Sequence, residues 1–138
     1  MNALQRRQAI VDTVLAYCVR IDALDFDGLA ELFTDDAHIT YHRHDPVIGG
    51  TALAEFLASR CTDVVWHQHL AQPMQVTLHG TTATVTTYFL AHSVHEGQPD
   101  RVRVTVGEYV DTLVDVDGTW LIRERTQHTG WREHRVRE

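Results

Sequence analysis

The sequence predicts an α+β domain in which a curved, mostly antiparallel sheet wraps around three N-terminal helices. Two observations carry that expectation. Apolar residues recur at helical spacing only as far as Arg60, and from Val64 onward the pattern turns to long, β-branched alternation. No helical stretch follows the strands, so the helices must cover one face of the sheet. A third observation bears on topology. Asp117-Gly118 between two strand segments is a hairpin signal, because a type I′ turn needs positive φ at both central residues.

In order, helices are expected over 4–22 and 26–33, with Asp25 as the N-cap of the second. Phe33-Thr34-Asp35-Asp36 reads as a turn, and Ala37–His42 as a short strand. A loop from His42 to Pro46 ends near Gly49-Gly50, after which Thr51 caps a third helix running to Arg60. Strands are expected over 64–79, 82–95, 101–116 and 119–129. Antiparallel strands of this length twist and curl, and a curled sheet closing on helices leaves a cavity at its open end.

The 138 residues fit one domain, 1–138, without repeats or low-complexity segments. A hydrophobic content of 43% and a charged content of 22% are ordinary for a globular chain. With a net charge of −7 and no basic stripe interleaved with aromatics, neither nucleic acid nor an anionic membrane is an expected partner. Trp131–Glu138 reads as a solvated tail. No apolar run approaches a signal core or a membrane span, which predicts a cytoplasmic protein. Cys18 and Cys61 lie among apolar residues without metal-type spacing and read as reduced core thiols.

The most informative stretch is Tyr17–Asp27. Val11, Leu15, Cys18 and Asp22 fall on one helical stripe, which would aim the Asp22 carboxylate inward, where an unpaired charge is costly. Asp22 must then meet a cation, a histidine or a polar cavity, unless the helix end frays into water or Asp22 caps the next helix. His67-Gln68-His69 places two imidazoles on one strand face. They read as a metal pair, as a general base with a neighbour, or as a polar strand edge. Leu70, Met74, Val76 and Leu78 would put His69 on the far face, unless a bulge at Pro73 switches the register.

Other candidates surround this pair. Tyr41 can donate to a carbonyl oxygen as an enolate forms, or simply pack. His92 shares a face with Tyr88 and Leu90. Tyr109 faces away from Val102, Val104, Val106 and Val110, with Thr105 and Gly107 beside it, an arrangement that fits either room for a ligand or a bulge. Arg125 falls opposite Trp120 and Ile122 by alternation, so it reads as surface charge or as a substrate contact. Tyr17 and Trp66 complete the set of expected substrate contacts. No nucleophile elbow, phosphate loop, dinucleotide fingerprint or Cys-x-x-Cys occurs.

Taken together, Tyr17-x-x-x-x-Asp22-x-x-Asp25-Phe-Asp27, Leu32-Phe33-x-x-Asp36-Ala37, Gly50, His69, Gly107-x-Tyr109-x-Asp111 and Asp117-Gly118-x-Trp120-x-Ile122 resemble the NTF2-like superfamily, in its SnoaL-like and scytalone-dehydratase-like branch. The resemblance spans nearly the whole chain and implies a cone-shaped fold. In scytalone dehydratase and the related lindane dehydrochlorinase, an Asp matching Asp22 orients a His matching His69, which abstracts a proton. Tyr41 matches one of two tyrosines that the scytalone enzyme directs at its substrate carbonyl. Ile21 stands at the other tyrosine position, and Gly107 and Tyr109 replace a Ser and an Asn, which argues for a different substrate. The resemblance therefore implies a lyase or isomerase (dehydratase-like or polyketide-cyclase-like) that needs no metal or organic cofactor and acts on a hydrophobic small molecule. It also implies a homodimer or homotrimer. The rival readings are a non-catalytic binding or accessory domain and a metal site at His67 and His69.

Overall fold

The computed structural model describes residues 1–138. Helix α1 (Ala3–Asp22) opens with a capping box, in which Asn2 accepts from the Gln5 backbone N–H at 2.9 Å and the Gln5 side chain accepts from the Asn2 N–H at 3.0 Å. Its buried stripe is Ile10, Val14, Tyr17, Cys18 and Ile21. That stripe lies one position away from the expected one: Val11 and Leu15 are only half-buried, and Asp22 flanks the core instead of ending it. Helix α2 (Phe26–Ala30) is capped by Asp25, which accepts from the Gly28 N–H at 3.0 Å and also pairs with Arg20.

The segment expected as the end of a helix, a turn and a short strand is instead one strand, β1 (Phe33–Thr40). Phe33, Ala37 and Ile39 are buried, and β1 runs parallel to the last strand of the chain, with Phe33 opposite Ile122 and Ile39 opposite Arg125. A parallel partner more than eighty residues away leaves no trace in local sequence. A two-residue strand β2 (Val47–Ile48), expected as loop, pairs antiparallel with β1. Helix α3 (Gly50–Arg60) starts one residue before the expected cap, with Gly49 as N-cap at φ 85 and no side-chain cap bond. A Cβ on Gly50 would collide with the Ala30 carbonyl oxygen, so the glycine is what lets α3 lie against α2.

Four long strands follow: β3 (Val64–His79), β4 (Thr82–His95), β5 (Gln98–Val116) and β6 (Thr119–Val136). The sheet order is β2-β1-β6-β5-β4-β3, antiparallel throughout except for β1 against β6. Asp117 and Gly118 both take positive φ, as the hairpin requires. Strand β6 continues to Val136, paired with Arg101, so most of the expected tail is sheet.

Bulges decide which residues face the helices. The β3–β4 register steps over Met74, so His67, His69 and Ala71 face inward before it, and Val76 and Leu78 after it. This is the switch that a bulge near Pro73 allows. The β5–β6 register steps over Arg123, which turns Arg125 to the same buried side as Trp120 and Ile122. Alternation alone had set Arg125 on the opposite face, so that expectation is corrected by the bulge.

Arg125 is therefore a core residue. Its guanidinium bonds Asp111 through Nε at 2.7 Å and Nη2 at 2.9 Å, with both side chains 0% exposed. It also stacks 4.4 Å from the Tyr17 ring and 4.2 Å from the Tyr109 ring. Burial alone would disfavour the charge, but Asp111 overrides that and raises the Arg125 pKa above its ordinary value. No helix is long and apolar enough to cross a membrane.

Removing one partner of a fully buried pair strands the other charge. Arg125→Met is expected to cost about 3–5 kcal/mol in urea denaturation, and the double change Arg125→Met with Asp111→Leu clearly less. A single variant no less stable than the double would contradict the pairing.

Candidate functional site

The sheet curls over α1 and α3 and leaves a cavity of about 240 Å³ between them. Tyr17 and Ile21 of α1, Phe56 and Leu57 of α3, Tyr41 beyond β1, and the inner faces of β3 to β6 form its wall. The volume lies below the roughly 300–1,000 Å³ of drug-sized pockets, so the space suits a small ligand.

At one side of this cavity the last residue of α1 meets β3. The Asp22 Oδ1 lies 2.7 Å from His69 Nδ1, and its Oδ2 accepts the His69 backbone N–H at 2.8 Å. Both carboxylate oxygens are thus spent on one residue. An ionised carboxylate can only accept, so the ring bond places a proton on Nδ1, and in the neutral ring the lone pair is then on Nε2. The His69 side chain is 16% exposed and lines the cavity, while Asp22 stands behind it, off the wall. Of the destinations open to Asp22, the histidine is the one it takes.

His67 stands beside this pair, its ring T-shaped to that of His69 with centroids 5.8 Å apart. Burial lowers its pKa, against the pull of the Asp22 charge, and its Nε2 is enclosed without a partner. No third histidine, cysteine or acid joins the two in a metal-type cluster.

Opposite them sits a phenol pair. The Tyr17 and Tyr41 hydroxyls are 2.8 Å apart, and Tyr41 stacks on Phe56 with centroids 5.6 Å apart. Tyr109 stacks on Phe89 at 4.5 Å and meets Tyr17 edge-on at 5.7 Å. Burial raises the Tyr17 pKa and lifts those of Tyr41 and Tyr109 well above the ordinary 10. All three therefore remain neutral hydrogen-bond donors at neutral pH. The glycine beside Tyr109 opens no room in this cavity: a Cβ at Gly107 would collide with the His128 carbonyl oxygen and lie 3.0 Å from the Phe89 ring, and the residue sits at a β5–β6 register shift, as the bulge reading expects.

The remaining expected contacts separate. Arg125 lies beneath the Tyr17 and Tyr109 rings and does not reach the wall. Trp66 pairs with Val94 on the outer face, 49% exposed and away from the cavity, because it alternates with the inward-facing His67 and His69 once the step over Met74 has set their side of the strand. His92 borders the cavity near its mouth, without a hydrogen bond to His69 or Asp22.

His95, which with His92 is a candidate for the family's second histidine by resemblance, also lines the cavity and contacts Asp63 at 3.0 Å and the Ser93 hydroxyl at 3.1 Å; the residues that sequence reasoning missed are Arg60, Arg103 and Arg132, which line the mouth. Arg103 was within reach of the alternation argument, being two residues before Thr105 on the face that carries Tyr109. Arg132 was hidden because the register steps over Gly130, inside a segment that reads as tail.

Comparison with known proteins places the chain in a family. A family model described as a SnoaL-like domain matches residues 2–126. No curated protein matches the chain. Among solved structures, a candidate scytalone dehydratase from Novosphingobium aromaticivorans DSM 12444 is similar at 24% identity and TM-score 0.87, over 94% of this chain and 87% of that one. A type 2 hexachlorocyclohexane dehydrochlorinase is similar at 16% identity and TM-score 0.86, over 96% and 90% of the two chains. A ketosteroid isomerase-like protein from Erwinia carotovora atroseptica SCRI1043 is similar at 16% identity and TM-score 0.81, over 95% and 99%. At these identities the likeness establishes the cone-shaped fold and no more. With the family model covering nearly all of it, the chain belongs to the SnoaL-like family of the NTF2-like superfamily.

Proposed function

We propose that this protein is a cofactor-independent lyase or isomerase that removes a proton from a hydrophobic, cyclic small molecule. The observation that carries the reading is the Asp22 carboxylate spending both oxygens on His69. His69 Nε2 takes the proton from a carbon next to a carbonyl or opposite a leaving group. Asp22 holds the tautomer and stabilises the imidazolium that forms. Tyr41, its hydroxyl paired with that of Tyr17, donates to the oxygen on which charge develops, while Tyr109 and Phe89 build an apolar wall. The reading is in keeping with the dehydratase, dehydrochlorinase and isomerase-like names of the similar structures. Its free, buried or half-buried cysteines suit a reducing cytoplasm.

Homo-oligomer formation belongs to the same proposal. The outer sheet face exposes Trp66, Leu70, Tyr88 and Trp131 at 49%, 53%, 54% and 62%. A patch of this kind commonly marks an interface.

A panel of cyclic β-hydroxy and β-halo ketones, incubated in D₂O and followed by NMR, tests the chemistry. His69→Gln and Asp22→Asn should each lower elimination or deuterium uptake about 10²–10⁴-fold, and Tyr41→Phe about 10-fold or more. Turnover undiminished in His69→Gln would sink the mechanism and favour a binding domain. For the assembly, sedimentation of the native protein should give a dimer or trimer that Leu70→Glu with Tyr88→Glu dissociates, and a native monomer would end that part of the proposal.

The buried donors also set an alkaline limit. Burial pushes the Cys18 thiol from 9.0 up to about 11, and the three phenols rise above 10.0. Above those ordinary values the unfolded chain releases protons that the fold retains, so stability is full at neutral pH and falls as pH rises past about 9. Urea midpoints measured from pH 8 to 11 should decline, and less steeply in Cys18→Ala. An identical decline in that variant would count against the buried thiol.

A further inference from the structure

The charge on the cavity wall is one-sided. Six of the chain's ten histidines and three arginines line it, and no aspartate or glutamate does, although the formal net charge of the chain is −7. Arg60, Arg103 and Arg132 form none of the protein's ion pairs. Arg60 instead lies 2.9 Å from His44 Nε2 and sits over the Phe56 ring at 4.9 Å. The acid nearest this group in effect is Asp63, which feels the Arg103 charge but is engaged by His95 and lies off the wall. Three cations gathered at one mouth, with the protein's own acids elsewhere, repel one another unless an anion joins them.

The sheet register fixes where such an anion would lie. His69, Ala91, Thr105 and Arg132 form one cross-strand row, and His67, Ser93 and Arg103 the next. Neighbouring strands lie about 4.8 Å apart, so Arg103 stands about 10 Å and Arg132 about 14 Å across the sheet from the histidine strand. That gap is apolar on one side, with Phe56, Leu57, Phe89 and Ala91 on the wall. Strand separations of this size and a cavity of about 240 Å³ leave space for one small ring between the histidine strand and the arginine strands.

We infer that the ligand of this cavity is an apolar ring carrying an oxyanion, held with the ring against Tyr41 and His69 and the oxyanion on Arg103, Arg132 and Arg60. Guanidinium forks bind carboxylate and phosphate oxygens in pairs, which anchors one end of a small molecule and presents the other end in a fixed orientation. The inference rests on the proton-transfer reading for which end reacts. It adds that the substrate is an acid or an acid ester and not a neutral ketone alone. The shared chemistry is the oxyanion, whether carboxylate or phosphate.

Calorimetric titration with benzoate, phenyl phosphate and the neutral isostere benzamide, at one ionic strength, tests it. At least one of the two anions should bind the native protein about tenfold or more tighter than benzamide. The tighter anion identifies the group that the substrate carries. Arg103→Gln with Arg132→Gln, both exposed positions, should bring that anion down to the level of benzamide, while His69→Gln should retain the preference. Benzamide binding as tightly as both anions, or a preference that survives in the double arginine variant, would overturn the inference. The two proposals fail separately. Anion preference without proton transfer by His69 leaves this site standing and removes the mechanism. Elimination on neutral ketones without anion preference does the reverse.

Discussion

The Asp22–His69 contact is the constraint on which the site depends. Its two bonds, at 2.7 and 2.8 Å, tie the last residue of α1 to both the ring and the backbone of one β3 residue. A single side chain thereby sets the position of the strand, the direction of the imidazole and its tautomer. Two requirements meet in this carboxylate. At 24% exposure it is withdrawn from much of the solvent and must be compensated. The compensation it finds is also what orients the His69 imidazole. The Met74 bulge is a precondition, because without it His69 and the apolar half of β3 that follows could not both face the helices.

A second buried charge organises the opposite wall. The Arg125–Asp111 pair lies in the sheet beneath Tyr17 and Tyr109, whose rings take the guanidinium between them. Such a pair gives little net stability relative to apolar residues of the same shape. What it supplies here is placement. Tyr17 is held on the cation, Tyr41 on Tyr17, and the phenol pair ends at the cavity. The positive charge also works against the rise that burial imposes on these phenols, Tyr17 above all. Asp22 and the Arg125–Asp111 pair thus stand behind the two sides of one cavity without lining it, while His69, Tyr17, Tyr41 and Tyr109 form the wall in front of them.

Much of this was legible in the sequence. Long alternating strands, the Asp117-Gly118 hairpin and early helical periodicity suffice for the architecture, and family motifs point to Asp22 and His69. Parity separates Tyr109 from the valine face of β5 correctly. What was not legible traces to register. The Arg123 bulge moves Arg125 from surface to core, and the Met74 bulge sets Trp66, with Leu70, on the outer face. Strand β1 owes its start at Phe33 to a parallel partner far along the chain. The one-residue error in the α1 stripe has a different cause: Val11 and Leu15 are as apolar as Ile10 and Val14, so composition cannot choose between adjacent stripes. The arginines of the mouth come together only when β4, β5, β6 and the end of α3 are set in space.

The most direct test of the account is the state of the His69 ring nitrogens, read by ¹⁵N NMR at neutral pH in the native protein and in Asp22→Asn. The account requires Nδ1 to carry the proton and Nε2 to be bare in the native protein, with that preference lost or mixed when the carboxylate becomes an amide. An imidazole with the same tautomer population in both proteins would mean that Asp22 does not set the ring, and the proposed base would lose its physical support.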